Sequence, residues 1–139
     1  MTVDLGLMMD RSEEIWESSI LPSLSDFIGI KALSPLFEPN WAEMGELDAT
    51  IELFCDWLDD QGIEGMSYEK HRIGELSPVL IVTIEGTGPG EVIFYSHLDK
   101  QPSKPELWSE GLHPLKAVRR DPWLYGRGSV DDGYGGYLC

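Results

Sequence analysis

The sequence is poor in basic residues and in cysteine. It contains 10 Lys and Arg against 25 Asp and Glu, which gives a formal net charge of -15 at pH 7. Binding to a phosphate backbone or to an anionic membrane surface needs clustered Lys and Arg, so the composition argues against nucleic acid and membrane partners. The two cysteines, Cys55 and Cys139, do not make a disulfide framework, and free thiols favour a reducing compartment.

Long hydrophobic runs are also missing. No window approaches the roughly 20 apolar residues that cross a bilayer, and the first ten residues lack the basic and apolar regions of a secretion signal. The chain has an ordinary globular composition, with 42% hydrophobic and 25% charged residues. Its 139 residues can bury the core of one domain. We therefore expect a cytoplasmic protein with at most one domain.

Two helices are predicted in the first half of the chain. Residues 10–30 place apolar side chains on one face, with Asp10 or Ser12 as the cap and Pro22 as a point where the helix kinks or splits. The second helix ends before Gly62, which stands where a left-handed cap belongs. Its apolar residues recur at intervals of three and four: Met44, Leu47, Ile51, Phe54 and Leu58.

The pattern after Gly62 is typical of strands. Residues 63–72 predict an outer strand, and residues 79–85 and 91–95 predict two more, whose short Gly- and Pro-rich connection favours an antiparallel hairpin. A third helix is expected to begin near Gly135. Helices followed by strands and another helix indicate a layered α/β or α+β domain.

The first candidate site is the His97-Leu98-Asp99 triplet at the end of the last of these strands. Residues two apart in an extended chain point to the same face, so the His97 and Asp99 side chains can lie next to each other. Asp99 can then bind the second ring nitrogen of His97, which fixes its tautomer and makes it a better metal ligand. The triplet alone is weak evidence, because a strand-end histidine is usually structural or exposed. His71 and His113 are expected to be such residues.

Residues 100–114 are rich in proline and have no hydrophobic period. A long segment of this kind in a compact domain is often a functional loop, and its Trp108 can either cover a site or pack against the core. Residues 115–125 then predict a small hairpin that turns at Arg120-Asp121-Pro122.

The second candidate site is the glycine-rich segment from Gly126 to Gly136, which contains Asp131 and Asp132. Phosphate binding is one alternative for such a loop, but no GK[ST] sequence follows, and two adjacent aspartates repel a phosphate unless a cation lies between them. A metal site is a second interpretation. A solvated turn in which the aspartates cap a helix is the third.

Taken in order, these motifs resemble the N-terminal signature of the aminoacylase, carnosinase and glutamate carboxypeptidase family of dizinc metallopeptidases, in particular its dipeptidase-like subgroup. The matching residues are His97-Leu98-Asp99-Lys100-Gln101-Pro102, Trp108, and Leu124 through Gly133. The opening helices and the loop before Trp41 are similar to that family as well. The resemblance implies the N-terminal part of a three-layer α/β/α catalytic domain of the zinc-peptidase type.

The resemblance also implies roles for individual residues. His97 would bind one of two zinc ions, Asp131 would bridge both, and Asp99 would be the catalytic residue that orients His97. Asp132 would shape the turn through an unusual peptide bond. Two cations held about 3.5–4 Å apart polarise a carbonyl and activate a water for its attack. The implied substrate is a small peptide or an N-acyl amino acid, although Gly133, where many members have Lys-Gly, leaves the substrate class open.

The general base, the other zinc ligands and a lid domain of this family would lie beyond Cys139. We therefore expect residues 1–139 to be the N-terminal part of a longer enzyme, inactive alone and prone to self-association through an exposed sheet edge. The alternatives are a binding or assembly module that keeps relic site residues, a weak divalent-metal sensor, and a plain acidic structural domain.

Overall fold

A computed structural model describes residues 4–138 of the chain. The predicted free thiol of Cys139 lies outside these residues, whereas Cys55 is a buried free cysteine. The described residues contain helices α1 (Leu5–Ile15), α2 (Leu21–Gly29), α3 (Trp41–Met44), α4 (Glu46–Gln61) and α5 (Gly135–Leu138). They also contain strands β1 (Met66–His71), β2 (Val79–Ile84), β3 (Val118–Arg120) and β4 (Trp123–Tyr125). Within this part of the chain, no helix is long and apolar enough to cross a bilayer.

The first helical region begins earlier than predicted. Asp4, not Asp10 or Ser12, is the cap of α1, and its Oδ1 accepts a hydrogen bond from the Leu7 N–H at 3.2 Å. The helical turns widen into a π segment at Trp16–Ile20 and continue as α2. Pro22 lies in the first turn of α2, directly after the π segment, and it has no backbone N–H to donate to the preceding turn. The predicted interruption is therefore present as a π segment just before the proline.

Helix α4 agrees with its prediction except at Met44, which belongs to α3 and is exposed. It buries Leu47, Ile51, Phe54 and Leu58 on one face, and Gly62 ends it in the left-handed region with φ 60°. Only a residue without a Cβ adopts this conformation at little cost. The 3.6-residue period and the terminal glycine together were enough to predict this helix.

The core lies between α2, α4 and α5. Leu24, Phe27 and Ile28 of α2 are buried, and Tyr137 of α5 packs edge-on against Phe54 with ring centroids 5.1 Å apart. The Tyr137 hydroxyl shares a hydrogen bond of 2.9 Å with Ser23 Oγ. Burial raises the pKa of Tyr137, so this hydroxyl stays neutral across the physiological range.

The strands confirm three predictions and correct one. Strand β1 lies within residues 63–72, β2 lies within residues 79–85, and β3 and β4 form the predicted hairpin. The predicted hairpin between 79–85 and 91–95 is wrong: β2 pairs antiparallel with β1, from Met66 opposite Ile84 to His71 opposite Val79. Residues 91–95 form no strand among the described residues and stay exposed. Residues 79–85 and 91–95 are both apolar and β-prone, so the sequence pattern does not identify which of them pairs with β1.

Candidate metal centre

The structure brings the two predicted motifs together. His97 Nδ1 lies 3.1 Å from Asp99 Oδ1, and His97 Nε2 lies 3.5 Å from Asp131 Oδ1. His97 and Asp99 come from the extended segment after residue 95, while Asp131 comes from the glycine-rich turn. The hydrogen bond of Nδ1 goes to the Asp99 backbone carbonyl at 3.0 Å, beside the Asp99 carboxylate, while Nε2 faces the Asp131 carboxylate. Both His97 and Asp99 are about one-third exposed, so the cluster is open to solvent.

The glycine-rich turn is attached to the rest of the site by short contacts. Ser96, which precedes His97 in the chain, donates a hydrogen bond of 3.2 Å from Oγ to the Asp132 carbonyl. The peptide bond between Asp131 and Asp132 is cis, which confirms the unusual peptide bond that the resemblance implies. Gly133 lies against the ring of buried Phe27, so close that a Cβ on Gly133 would be 2.0 Å from the ring. The position of Asp131 thus depends on α2.

Lys100 fixes the other motif to the same helix. Its side chain is 1% exposed, and Nζ donates hydrogen bonds to the carbonyls of Phe27 at 2.7 Å and Ile30 at 2.5 Å, with a longer one to Ile28. Nζ also lies 4.0 Å from the centre of the Phe27 ring. A cation at a helix C-terminus is favoured by the unpaired carbonyls there. Burial and, secondarily, the charge of Arg127 lower the pKa of Lys100 to about 8.

Sequence reasoning missed this role of Lys100. A lysine is expected at the surface, and nothing local to His97-Leu98-Asp99-Lys100 predicts that its ammonium reaches carbonyls some seventy residues earlier. The backbone shows the same connection, because Lys100 N donates to the Ala32 carbonyl at 2.8 Å and Ser34 N donates to the Lys100 carbonyl at 2.9 Å. The one hint in the sequence that Lys100 has a structural role is its position directly after the His97-Leu98-Asp99 triplet.

Arg127 neutralises part of the charge at the site. Its Nη1 lies 3.1 Å from Asp131 Oδ2, and its Nε donates to the Gln101 carbonyl at 3.3 Å. Asp131 therefore has one oxygen next to His97 and the other next to a guanidinium. In a bridging role, Asp131 Oδ2 would share its lone pairs between a cation and the Arg127 guanidinium.

The distance between His97 Nε2 and Asp131 Oδ1 fits two ligands of one zinc ion. Zinc binds imidazole nitrogen and carboxylate oxygen at about 2.0–2.2 Å with tetrahedral angles, which places neighbouring ligand atoms about 3.4 Å apart. The distance of 3.5 Å between His97 Nε2 and Asp131 Oδ1 agrees with this value. Two ligands are fewer than a protein zinc site needs. Among residues 4–138, no group of three or more His, Cys, Asp or Glu side chains could hold a metal ion.

The remaining candidates lie away from this cluster. His71 pairs with Glu69 on β1 at 3.0 Å. His113 Nδ1 accepts the Leu115 N–H at 3.1 Å, which agrees with its prediction as a loop residue. Trp108 is half-buried after a short 3-10 turn at Pro105–Leu107 and has no contact with the His97 cluster among the interactions of the described residues.

Comparison with known proteins shows what this chain is similar to. No protein-family model matches the chain. A succinyl-diaminopimelate desuccinylase from Rickettsia felis is 28% identical over 109 residues, which are 78% of this chain. This similarity supports the resemblance of the motifs to the aminoacylase, carnosinase and glutamate carboxypeptidase family. The crystal structure of human carnosine dipeptidase 1 matches the fold, with a TM-score of 0.63 and 22% identity over 88% of this chain.

Both relatives bear the names of hydrolases, so the relationship is to a family of enzymes, and the mixed helix and strand content agrees with the predicted α/β class. The chain spans about a quarter of each relative: 26% of the desuccinylase and 27% of the dipeptidase. The predicted assignment of residues 1–139 to the N-terminal part of a catalytic domain, with further domains elsewhere, stays a prediction.

Proposed function

We propose that this chain supplies one half of the zinc centre of a hydrolase that cleaves the amide bond of a small peptide or an N-acyl amino acid. The observation that carries the proposal is the cluster of His97, Asp99 and Asp131, with the Nε2 to Oδ1 distance of a shared metal ion. The sequence relationship to hydrolases supports the reaction class. A buried free Cys55 is compatible with the expected cytoplasmic compartment.

Each residue has a distinct part in this proposal. His97 Nε2 and Asp131 Oδ1 are the atoms that would hold a metal. Asp99 orients the ring, because its backbone carbonyl accepts a hydrogen bond from His97 Nδ1 at 3.0 Å, which leaves the Nε2 lone pair facing Asp131. Bound zinc would polarise the carbonyl of the substrate and lower the pKa of a zinc-bound water. Asp132 shapes the turn, and Lys100 keeps the His97 segment against α2.

Zinc titration of the chain, with the bound metal counted after dialysis, tests the site. We expect weak binding, because the described residues offer two ligands, and we expect His97→Ala to weaken it about tenfold or more. His71→Ala is the matched control, since His71 is exposed and pairs with Glu69 on β1, away from His97. Equal loss in both variants, or no effect of either, would contradict the assignment of His97 as a ligand.

Activity assays separate the enzyme from its alternatives. We expect the 139-residue chain to hydrolyse neither dipeptides nor N-acyl amino acids in the presence of zinc, because it lacks a full ligand set in the described part. Zinc-dependent hydrolysis by the pure chain would refute this. The lack of a third metal donor among those residues also favours the second candidate, a non-catalytic metal-binding or assembly module. Two zinc ions per molecule in an assembly that adds the missing ligands would exclude that module.

Self-association is part of the proposal. Val92, Ile93 and Tyr95 are 79%, 89% and 83% exposed, and this apolar segment has no strand partner among the described residues. Unpaired extended segments of this kind promote pairing between chains. We expect light scattering to show a mass that rises with concentration, and a monodisperse monomer at high concentration would contradict it.

A further inference from the structure

A second concave site lies beside the metal-site motif, on the other side of Arg127. This cleft has a volume of about 280 Å³ and lies between the segment after α2, the loop before β3, and Arg127. Its walls are mostly apolar and include Leu33, Leu115 and three prolines, of which Pro114 is fully buried. Proline rings have a fixed φ, so these walls need little ordering when a ligand binds.

The charge of the cleft is opposite to that of the chain. Although 25 of the 139 residues are acidic, none of the ten lining residues is Asp or Glu, while Lys31 and Arg127 are both among them. Lys31 is exposed at the edge of the cleft and makes no ion pair with any carboxylate in residues 4–138. A cation at the edge of a concave site whose lining contains no Asp or Glu favours an anionic ligand.

Two further residues that line the cleft, Arg127 and His113, carry side-chain N–H donors. Arg127 uses Nη1 for Asp131 and Nε for the Gln101 carbonyl, and its Nη2 has no hydrogen-bond partner among the described residues. The Arg127 backbone N–H donates to the Pro114 carbonyl at 2.7 Å, which fixes the arginine against the cleft wall. Because His113 Nδ1 accepts the Leu115 N–H, its proton is on Nε2, which makes this atom a donor.

We propose that this cleft binds the carboxylate of a small organic acid. The Lys31 ammonium and the Arg127 guanidinium contact the carboxylate, and Leu33, Leu115 and the prolines contact an alkyl group of about four to five carbons. The assignment requires neither zinc binding nor hydrolysis, so the experiments on this cleft test it independently of the proposed function. Apolar walls with a few convergent cationic donors are the usual composition of such sites.

The test uses isovalerate as the probe and follows the backbone amide signals of Ser103 and Leu115 by NMR at low ionic strength. We expect saturable shifts with a Kd on the order of 1 mM, as suits a ligand of about seven heavy atoms. Isovaleramide, which has the same shape without the charge, is expected to bind at least about tenfold more weakly. Inorganic phosphate, which has charge without an alkyl group, is expected to bind more weakly than isovalerate.

Matched lysine variants separate the cleft from general charge effects. Lys31→Met is expected to raise the Kd about fivefold. Lys104→Met, which removes a likewise exposed lysine of the 100–114 loop that does not line the cleft, is expected to leave the Kd unchanged. Equal weakening in both variants would overturn the site, as would the absence of saturable shifts. Equal binding of isovaleramide, or tighter binding of phosphate, would overturn the carboxylate as the ligand class.

Discussion

Gly133→Ala tests whether the turn that carries Asp131 is held by direct packing on α2. A Cβ at Gly133 would lie 2.0 Å from Phe27 Cε1, 2.5 Å from Cζ and 2.8 Å from Cδ1. Carbon atoms normally approach to about 3.5–4.0 Å, so the methyl group and the ring would have to separate by about 1.5 Å. Phe27 is 1% exposed and has no room to move without disturbing the core.

The expected loss in the free energy of unfolding follows from overpacking of the core. Adding a methyl group to a well-packed site typically costs about 1–3 kcal/mol, and the overlap at Gly133 is with a whole buried ring, so we expect a loss of about 3 kcal/mol or more in the free energy of unfolding. Gly88→Ala is the matched control. A Cβ at Gly88 would meet no neighbouring atom within 4 Å among the described residues. We expect Gly88→Ala to change the free energy of unfolding by no more than about 0.5 kcal/mol.

The assay is urea unfolding followed by tryptophan fluorescence, for the wild type, both alanine variants, Phe27→Leu and the double variant that combines Gly133→Ala with Phe27→Leu. Leucine removes the ring atoms that the added methyl group would meet, so Gly133→Ala should cost about 1 kcal/mol or less in the Phe27→Leu background. The expected coupling energy is about 2 kcal/mol. This comparison remains informative if the single variant does not fold, because the double variant then restores an unfolding transition.

Two results would refute the reasoning about Gly133. One is a Gly133→Ala variant as stable as Gly88→Ala. The other is a loss that is the same with phenylalanine and with leucine at position 27, since the cost would then come from the backbone of the turn and not from the ring.

The remaining predictions concern Lys100 and the core. Because the folded-state pKa of Lys100 is about 8 and its ordinary value is 10.5, the unfolded chain binds more protons between these pH values, so Lys100 makes the protein more stable as pH rises through this window. The gain is at most about 3 kcal/mol, since the carbonyl bonds favour the charged ammonium. Urea unfolding of the wild type and of Lys100→Met at about pH 7.5 and pH 10 measures this gain. We expect the difference in unfolding free energy between the two proteins to change with pH, and a constant difference would contradict the prediction. Leu24→Ala, fully buried in α2, should lose about 2–5 kcal/mol, whereas Leu36→Ala, 81% exposed, should lose under about 0.5 kcal/mol; similar losses would show that this core is wrongly placed.

Local structure was largely predictable from the sequence. The period of α4 with Gly62 at its end, the small hairpin at 115–125 and the loop character of residues 31–40 each depend on residues close together in the chain. Backbone preferences and hydrophobic period act over such short distances, so sequence carries them directly. The identity of His97, Asp99 and Asp131 as the candidate site also came from short motifs and from their resemblance to a known family.

Partners far apart in the chain were decided by the tertiary structure. The choice of β1 as the partner of β2, the contact of Gly133 with Phe27, and the reach of Lys100 to the carbonyls of α2 all join segments that no local pattern relates. Each depends on which surfaces meet when the core between α2, α4 and α5 closes, and many apolar segments are locally equivalent before that happens. The sequence alone therefore determined the residues of the candidate centre, and only the packing on α2 decided that His97 and Asp131 lie close enough to share a metal ion.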